Sequence, residues 1–376
     1  GAAPPAAPTA ARAALLRFAT PATSQRLRSR PIAGRTSAAK PSVPWGEAMS
    51  MRKFSWFFGA LALILALPTA SYAADCTAAQ REAADRQLWL NERDRNLASE
   101  MVFPWGEPLT ANTANQRRLV QRDYVIEYDD DLRGPVWAAN VLGLKELEGG
   151  RIDCFRQDPR IPGAVASRPA DYNEAIFDQG HMVPNADMTF GDIPIINTFI
   201  MSNMSPQFCQ FNRGVWQILE TFARHWAEDG TPVYILNGAV FDRNGDGVRD
   251  GDHESVRMRS RSGQTNVAVP SAYFKILARE GSDGRLKTLT ILLPHDQADV
   301  DGQAAVDYLR AHITTVETVE RLTNTDFFPT LMAASIDDRE LWDIAGASFR
   351  SLVAAPCRRT AGAVIAERGL RVFVLP

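Results

Sequence analysis

Apolar and polar residues alternate in short runs through much of the chain after residue 120. The runs "RDYVIEYDD" and "VWAANVLGL" (within 122–144) have the alternation of paired strands, and "FIMSNMSPQ" (199–207) predicts a strand that ends at Pro206. Three more strand-like runs, "TPVYILNGAVF", "NVAVPSAYFKILA" and "LKTLTILLP", lie within 231–294. Because helices do not follow the strands at regular intervals, the pattern favours an α+β fold over a doubly wound sheet.

Helical periodicity marks other segments. Residues 76–102 predict a helix, and residues 303–328 predict a helix or a loop. Residues 212–230 predict an amphipathic helix that ends at Gly230. Its apolar face consists of Val215, Ile218, Leu219, Phe222 and Trp226. Residues 330–376 have a weaker pattern, which fits a helix and a final strand, "LRVFVLP".

The first 73 residues do not have the composition of a folded core. Residues 1–50 are rich in Ala, Pro, Ser and Arg and contain no acid before Glu47, which predicts a low-complexity segment outside the mature protein. Residues 51–73 run from basic to apolar to small residues, as a signal peptide does. Their apolar run is shorter than the roughly 20 residues of a membrane-spanning helix, so we expect a cleaved leader.

The leader predicts a secreted or periplasmic protein with no stable membrane anchor after cleavage. Two alternatives stay open, an uncleaved anchor at residues 51–73 and an organelle transit peptide at residues 1–50, although a second leader directly after it argues against the transit peptide. We expect the main domain at residues 74–330 and a C-terminal extension, residues 331–376, packed on that domain.

Charge and cysteine content narrow the class of the mature protein. The chain has 41 basic and 44 acidic side chains, and residues 1–73 hold nine of the basic and one of the acidic groups, so the remainder has a net charge of −11. A polyanionic ligand would therefore need a local basic site or a metal. Export would allow disulfides between the four cysteines, Cys76, Cys154, Cys209 and Cys357, in any of three pairings. Their spacing does not suggest a structural zinc site.

Polar residues of catalytic type cluster in two places. His181, one of five histidines, lies in "FDQGHMVPNADM" (177–188). On the helix predicted at 212–230, Asn212, Trp216 and Glu220 are spaced at i, i+4 and i+8, so they form one stripe beside the apolar face. Taken singly, each has an ordinary explanation, since Asn is a favoured N-cap residue and Glu220 can be a solvated surface acid.

In combination, the two segments resemble the DNA/RNA non-specific endonucleases, the ββα-metal or His-Me finger family that includes secreted bacterial nucleases and endonuclease G. The family pattern is Asp-Arg-Gly-His, then Asn-x-x-Pro-Gln, then Asn-x-Gly-x-Trp-x-x-x-Glu. The matching residues are Asp178, Gly180 and His181; Asn203, Pro206 and Gln207; and Asn212, Gly214, Trp216 and Glu220. Weaker similarity extends over about 120–330. The resemblance implies a central, mainly antiparallel sheet flanked by helices.

The resemblance also implies roles for these residues in phosphodiester hydrolysis. His181 would be the general base, because a neutral imidazole can take a proton from water at neutral pH. Asn212 would hold Mg²⁺, for which Mn²⁺ can substitute, because this hard ion prefers oxygen ligands and keeps several waters. Glu220 would hold a water of the ion's coordination sphere, and Asn203 would orient the histidine through the neighbouring strand. The ion would act mainly as a Lewis acid that stabilises the leaving group.

Position 179 departs from the family, which has an arginine there to contact the scissile phosphate. Gln179 can donate a hydrogen bond but has no charge, so phosphate binding should weaken unless another cation replaces the arginine. Arg213 is one candidate for this cation, and one of Arg151, Arg156 or Arg160 is another. Each of these arginines can equally be a solvated loop residue.

An acidic loop suggests a second metal site. In "DRNGDGVRDGDHE" (242–254), Asp242, Asn244, Asp246 and Asp250 occupy positions one, three, five and nine of an EF-hand-like calcium loop. The twelfth position is His253 instead of the expected Glu, and an ordinary Asx/Gly-rich turn would have nearly the same sequence. A structural Ca²⁺ is therefore one of two explanations.

The sequence favours an exported Mg²⁺-dependent endonuclease that cleaves DNA and RNA with little sequence preference. A catalytically impaired protein of the same fold, acting as a nucleic-acid or calcium-binding module, is the main alternative. Hydrolysis of a smaller phosphodiester is a third. The motifs of serine hydrolases, zincins and P-loop proteins are not present in the sequence. The oligomeric state is left open.

Overall fold

A computed structural model describes residues 74–111, 114–251, 254–259, 267–296, 300, 302–332, 336–337 and 357. These residues belong to a unit that spans Pro68–Pro376. The upstream segment, the signal peptide and most of the C-terminal extension predicted from the sequence lie outside the described residues. None of the helices in the described part is long and apolar enough to span a membrane.

The strands of the described residues are mostly short at the two ends of the chain and long in the middle. They are β1 (Ala74–Asp75), β2 (Leu109–Thr110), β3 (Gln116–Val120), β4 (Tyr124–Asp129), β5 (Gly134–Leu142), β6 (Ile152–Asp153), β7 (Phe177–His181), β8 (Met204–Phe208), β9 (Val233–Val240), β10 (Ala272–Glu280), β11 (Leu286–Pro294), β12 (Ile313–Thr314), β13 (Thr325–Asp326) and β14 (Ile336–Asp337).

The α-helices lie between and around these strands. They are α1 (Ala78–Gln87), α2 (Glu92–Val102), α3 (Asp192–Thr198), α4 (Cys209–Phe211), α5 (Gln217–Trp226), α6 (Gly302–Ala311) and α7 (Val316–Thr323). Short 3₁₀ turns lie at Pro169–Asp171, Asn185–Met188 and Met201–Asn203, and Asn212–Trp216 form a π-helical turn between α4 and α5.

One large sheet organises the fold. Its strand order is β12-β11-β10-β9-β5-β4-β3 with antiparallel neighbours, and β14 adds to β11 in parallel. The strands β7 and β8 form a separate antiparallel hairpin. The predicted α+β class and the mainly antiparallel central sheet are therefore confirmed.

Alternation along the central strands separates two cores. On one face, Tyr273 and Leu277 of β10 pack with Leu219 and Phe222 of α5. On the other face, Phe274 and Ile276 pack in a second cluster. Members of that cluster from α2 and α7 are Val102, Val316, Val319 and Leu322. The hairpin and α5 thus lie on one side of the sheet, and α2 and α7 lie on the other.

A glycine in β9 makes the second core possible. A Cβ atom on Gly238 would come within 2.0 Å of the Phe274 ring, so only glycine leaves room for that ring on the neighbouring strand.

Several predicted elements differ from the structure. The predicted helix 76–102 is two helices, because the chain leaves α1 at Leu88 and a new N-cap, Asn91, begins α2. The predicted strand 199–207 starts only at Met204, since the preceding residues form a 3₁₀ turn. The segment 303–328 is α6 and α7 with the short strand β12 between them.

Two disulfides join distant parts of the chain. Cys76 pairs with Cys154, which ties the start of the described chain to the segment after β6. Cys209 pairs with Cys357, which ties the first residue of α4 to the C-terminal extension. Of the three pairings that the sequence left open, the structure therefore has 76–154 and 209–357.

Candidate active site

The β7–β8 hairpin carries the candidate histidine. His181 is the last residue of β7 and lies opposite Met204, the first residue of β8. Its side chain is therefore at the end of the hairpin next to the connecting segment. The register also places Asp178 opposite Gln207. The Asp-x-Gly-His motif thus lies on one strand of the hairpin and the Pro-Gln pair of the second motif on the other, with Asn203 in the 3₁₀ turn directly before β8.

Aromatic rings surround His181. The side chain is 8% exposed, its ring centroid lies 4.7 Å from that of Phe199 in an edge-to-face contact, and Phe155 follows at 6.2 Å. The Nε2 atom is buried and has no hydrogen-bond partner among the described residues. Burial lowers the pKa of His181 to about 3, and the cation of Arg151 contributes in the same direction. The imidazole is therefore neutral in this environment at neutral pH.

Asn203 holds the turn that follows His181. Its side-chain oxygen accepts a hydrogen bond from the backbone N–H of Val183 at 2.9 Å, and its Nδ2 donates to the carbonyl oxygens of Val183 and Thr198, both at 2.9 Å. The backbone N–H of Met182 donates to the Asn203 carbonyl at 3.0 Å. The fully buried Asn203 thus fixes the backbone on the C-terminal side of the histidine.

Gly180 lets the second strand approach the histidine strand. A Cβ atom at this position would come within 2.2 Å of the Gln207 side chain. Gln207 is itself fully buried, and within the described part of the chain its amide atoms have no hydrogen-bond partner. A larger residue at 180 would therefore displace Gln207 from its place in the hairpin.

The turn at Asn212–Trp216, which precedes α5, is bound to the same hairpin. The Nδ2 atom of Asn212 donates to Asp178 at 2.9 Å, and Arg213 makes a two-point ion pair with that carboxylate at 2.7 and 2.8 Å. None of the described residues donates a hydrogen bond to Asn212 Oδ1, so this oxygen is available as a ligand. Asp178 lies three strand residues, roughly 10 Å, from His181.

The chain kinks directly after Asn212. Gly214 has φ −107° and ψ −113°, which breaks the regular helix between α4 and α5. Asn212 and Arg213, the two residues directly before this kink, are the ones that contact Asp178.

Glu220 lies one turn after Trp216, in α5 beside its apolar face. Burial raises the pKa of Glu220 to about 7, against the opposing effects of the Lys275 and Arg224 cations and a weaker one from Trp216, while Asp187 adds to the rise. Arg224, a further turn along, donates to Asp187 at 2.8 Å. The stripe predicted from the sequence therefore continues to a fourth residue, Arg224.

A lysine that the sequence did not single out lies beneath this stripe. Lys275 of β10 is fully buried, donates a hydrogen bond to Asn237 Oδ1, and has its Nζ 4.5 Å from the ring centroid of Trp216. Burial lowers the pKa of Lys275 to about 8, while Glu220 and Asp187 raise it. A lysine in the middle of the apolar strand "AYFKILA" was the available signal, because an unpaired lysine is rarely buried.

The candidate phosphate-binding arginines occupy different environments. The guanidinium of Arg156 is buried and donates to Asp85, Cys154, Ile196 and Asn197. The side chain of Arg160 is 9% exposed and makes a two-point pair with Asp158. Their donors are used inside the protein, so we do not assign phosphate contact to either residue.

Arg151 is the one of the three upstream candidates that lies close to His181 with an accessible side chain. Its guanidinium stacks over Phe199 at 4.9 Å, pairs with Asp153 at 2.6 Å, and is 45% exposed. Gln179 is partly exposed and lies two residues before His181, on the same face of β7.

The acidic loop forms an ordinary turn in the described residues. Asp242 is buried, and its two carboxylate oxygens accept hydrogen bonds from the backbone N–H groups of Gly245, Asp246 and Gly247. Asn244 and Asp246 make similar local bonds, and Asp250 accepts from the backbone of Arg243. His253 lies outside the described residues. These contacts fit the Asx-turn alternative.

No group of three or more His, Cys, Asp and Glu side chains within the described residues could hold a metal ion. A metal at the candidate site must therefore depend on few protein ligands. The unbonded Asn212 Oδ1 and the carboxylate of Glu220 are oxygen donors on the two sides of the Gly214 kink, and so few ligands fit an ion that keeps most of its waters, such as Mg²⁺.

The remaining described histidines have structural surroundings. His295 is buried, accepts a hydrogen bond from the Phe208 backbone at 2.7 Å and contacts the Pro270 carbonyl at 3.0 Å. His225 lies on the surface beside Glu228, and His312 contacts the carbonyl of Tyr308. His181 is thus the described histidine with a buried, unbonded ring nitrogen.

Comparisons with known proteins identify the family of the chain. A sequence model of the DNA/RNA non-specific endonucleases matches residues 107–334. Human mitochondrial endonuclease G is 28% identical over 216 residues, covering 57% of this chain and 70% of that protein. Nuclease C1 of Cunninghamella echinulata var. echinulata is 30% identical over 248 residues, covering 64% of this chain and 92% of that protein.

A solved structure shows the same fold. A chain in the crystal structure of the EndoG/EndoGI complex aligns with a TM-score of 0.51 and 24% identity, covering 63% of this chain and 94% of that one. The resemblance drawn from the motifs and the ββα-metal fold that it implied are therefore confirmed. Since the family match spans more than half of the chain, this protein belongs to the DNA/RNA non-specific endonuclease family.

Proposed function

We propose that the chain is an exported, Mg²⁺-dependent endonuclease that hydrolyses phosphodiester bonds of DNA and RNA, with His181 as the general base. The observation that carries the proposal is that the β7–β8 hairpin carries or binds two polar groups that have no hydrogen-bond partner among the described residues. One is the buried Nε2 of His181, and the other is Asn212 Oδ1, whose amide is bound through Asp178 to the same strand.

His181 is prepared to accept a proton rather than to donate one. Its burial among Phe155 and Phe199 keeps the ring neutral, which a general base requires. A pKa of about 3 makes a weak base in the free protein. An anionic phosphate beside the ring would raise that pKa, because an opposite charge favours the imidazolium. Proton transfer from the attacking water would thus become favourable only with substrate present.

Asn212 would hold the metal ion through its amide oxygen, and the Glu220 carboxylate would hold a water of the ion's coordination sphere. When bound, Mg²⁺ supplies positive charge that stabilises the transition state and the departing oxygen. The ion pair between Arg213 and Asp178 keeps the Asn212 turn in place, so Arg213 contributes orientation more than charge.

Arg151 would supply the cation that position 179 does not. Its guanidinium lies over the buried ring of Phe199, which contacts His181, so that it can meet the phosphate that the base must approach. Gln179 would add a hydrogen bond from the same strand as His181. The two disulfides fit an oxidising compartment, which supports export.

The test is incubation of the purified chain with plasmid DNA and with RNA, with Mg²⁺ and with EDTA. We expect degradation of both substrates that EDTA abolishes, near-complete loss in His181→Ala, and equal or greater activity in Gln179→Arg. The matched control is His225→Ala, which removes an exposed histidine and should retain full activity. Intact substrates with Mg²⁺ and with Mn²⁺ would instead favour the binding-module alternative, for which Gln179 is the supporting observation.

A further inference from the structure

The segment that carries Arg151 is bound to the start of the described chain. Strand β6 follows Arg151 directly and pairs in parallel with β1. The disulfide between Cys76 and Cys154 closes directly after both strands. The backbone N–H of Cys76 also donates to the carbonyl of Asp153 at 2.9 Å. We call β1, β6 and this disulfide the N-terminal clamp.

Contacts lead from the clamp to the candidate base. The carboxylate of Asp153 accepts a hydrogen bond from Arg151 Nε at 2.6 Å. The Arg151 guanidinium lies 4.9 Å from the centroid of the Phe199 ring, and that ring contacts His181 edge to face. Cys154 packs in the same buried cluster as Phe199. The clamp therefore touches Arg151 through its ion-pair partner and through the apolar cluster under the guanidinium.

The main fold holds the chain on either side of the clamp. The backbone N–H groups of Gly149 and Arg156 donate to carbonyl oxygens outside this segment, at 2.6 and 3.3 Å. Between these two points, β6 has β1 as its strand partner. Arg151 lies in this stretch with a 45% exposed side chain, and an exposed ion pair alone fixes a long side chain weakly. Its position therefore depends on how firmly the backbone of Asp153 is held.

One half of the clamp precedes the part of the chain that matches the family. The matched range begins at residue 107, so β1 and Cys76 lie before it, whereas Arg151 and Cys154 lie within it. The family match therefore does not account for the covalent bond that closes the clamp.

We propose that the Cys76–Cys154 bond is a redox-controlled positioning element of the nuclease reaction. While the bond is closed, the clamp keeps Arg151 over Phe199, where its guanidinium meets the scissile phosphate. A dithiol reductant gives the bond two electrons and two protons, which leaves two cysteine thiols and the oxidised, disulfide form of the reductant. The covalent attachment of β1 is then lost, and substrate binding weakens. This inference rests on the proposed function, and it implies that an oxidising compartment completes the phosphate site.

The test is a double-mutant cycle on the full chain, with Cys76→Ser and Arg151→Gln made singly and together. The readouts are KM and kcat for plasmid DNA with Mg²⁺, measured well below the melting temperature. Val319→Ala is the matched control, because it removes buried apolar surface in α7, on the other side of the sheet. The melting temperature of each variant reports whether it folds and how much stability it has lost.

We expect Cys76→Ser to raise KM about tenfold, the effect of losing one charge-assisted contact with phosphate. In the Arg151→Gln background the same change should raise KM less than about twofold, since the residue that the clamp positions is absent. Val319→Ala should lower the melting temperature and leave KM unchanged, because lost stability reduces the amount of folded enzyme but not the affinity of the folded enzyme for substrate.

Reduction provides a second measurement, which does not depend on cleavage. Dithiothreitol should speed amide hydrogen exchange at residues 152–154 of the unmodified protein and should have no such effect in Cys76→Ser, which lacks the bond. It should likewise raise KM only where the bond is present. The Cys209–Cys357 disulfide is unaltered in both proteins before reduction, so its loss is common to both.

An equal rise of KM in both backgrounds would overturn the role of the clamp, and so would no rise in Cys76→Ser when Arg151→Gln alone raises KM. A rise in Val319→Ala as large as that in Cys76→Ser would assign the effect to lost stability and overturn it as well. If Cys76→Ser does not fold, Cys154→Ala opens the same bond from the other half of the clamp.

Failure of the proposed function has different signs. If the unmodified protein does not cleave nucleic acid, the proposed function itself fails, and hydrogen exchange at residues 152–154 that reduction leaves unchanged would separately overturn the clamp. An unchanged KM in Arg151→Gln would count against the phosphate contact in the proposed function, and the clamp would then have no phosphate ligand to position.

Discussion

The hairpin side and the helix side of the site each contain a buried ionisable group, His181 and Glu220, and differ in the charges that surround it. His181 is enclosed by Phe155 and Phe199, and its one influential charge, Arg151, has the same sign as the imidazolium. Glu220 is also desolvated, but Lys275 and Arg224 oppose the loss of its charge. Burial therefore favours the neutral form on both sides, but only on the helix side do neighbouring cations oppose it. Burial sets the direction of each shift, and neighbouring charges decide its extent.

The largest effect should come from breaking the turn that holds the histidine. Asn203→Leu removes three side-chain hydrogen bonds, which should lower the free energy of unfolding by about 3 kcal/mol at about 1 kcal/mol each. It should also lower kcat, because His181 loses its fixed backbone. Urea denaturation and steady-state cleavage measure the two effects. The control Asn244→Leu changes an exposed asparagine. A kcat equal to that of this control would show that the hairpin does not position His181.

A smaller effect should appear in the pH dependence of Mg²⁺ binding. With a pKa of about 7, Glu220 becomes protonated as the pH falls below 7, so Mg²⁺ affinity should drop about tenfold per pH unit there. His181→Ala should keep this dependence, and Glu220→Gln should abolish it. Titrations of the melting temperature with Mg²⁺ between pH 5.5 and about 8.5 test this. If the pH dependence of Mg²⁺ affinity persists in Glu220→Gln, it belongs to another group. The contrast between Glu220 and His181 would then be lost.

The smallest effect should come from removing the cation beside the imidazole. Arg151→Gln should raise the pKa of His181 by less than about one unit, because Arg151 contributes less to the lowering than burial does. The ring resonances of His181 in an NMR pH titration report the shift, and KM for DNA should rise. Arg168→Gln, at an exposed arginine bound to Gln157, is the control. An unchanged KM would remove Arg151 from the proposed phosphate site.

The sequence predicted the parts of the site that lie in continuous motifs. His181, Asn203, Asn212 and Glu220 stand in two segments, and the i, i+8 spacing of Asn212 and Glu220 predicted one helix, which the structure interrupts at Gly214. Lys275, Asp187 and Asn237 come from three separate segments with no shared period, so only the pairing of β9 with β10 and the approach of α5 bring them together. That approach depends on tertiary packing.

The same limit explains the two arginines that were candidates for phosphate contact. Arg156 and Arg160 lie in an irregular, Pro-rich stretch that has no periodicity from which burial could be predicted. Asp85, the partner of Arg156, becomes visible only once the folded chain places α1 against that stretch, whereas Asp158 lies two residues before Arg160. The break at Leu88 had no Gly or Pro to mark it, so helix 76–102 was predicted as continuous.

The bond between Cys209 and Cys357 has a consequence for damage by proteases. The two cysteines are 148 residues apart, so they enclose β9, β10 and β11 in one covalent ring. The turn at residues 244–248 lies inside that ring and is exposed. Exposed loop tips are preferred sites of proteolytic cleavage. A single cut there leaves one polypeptide piece carrying Glu220 and another carrying Lys275, and sulfur still links them.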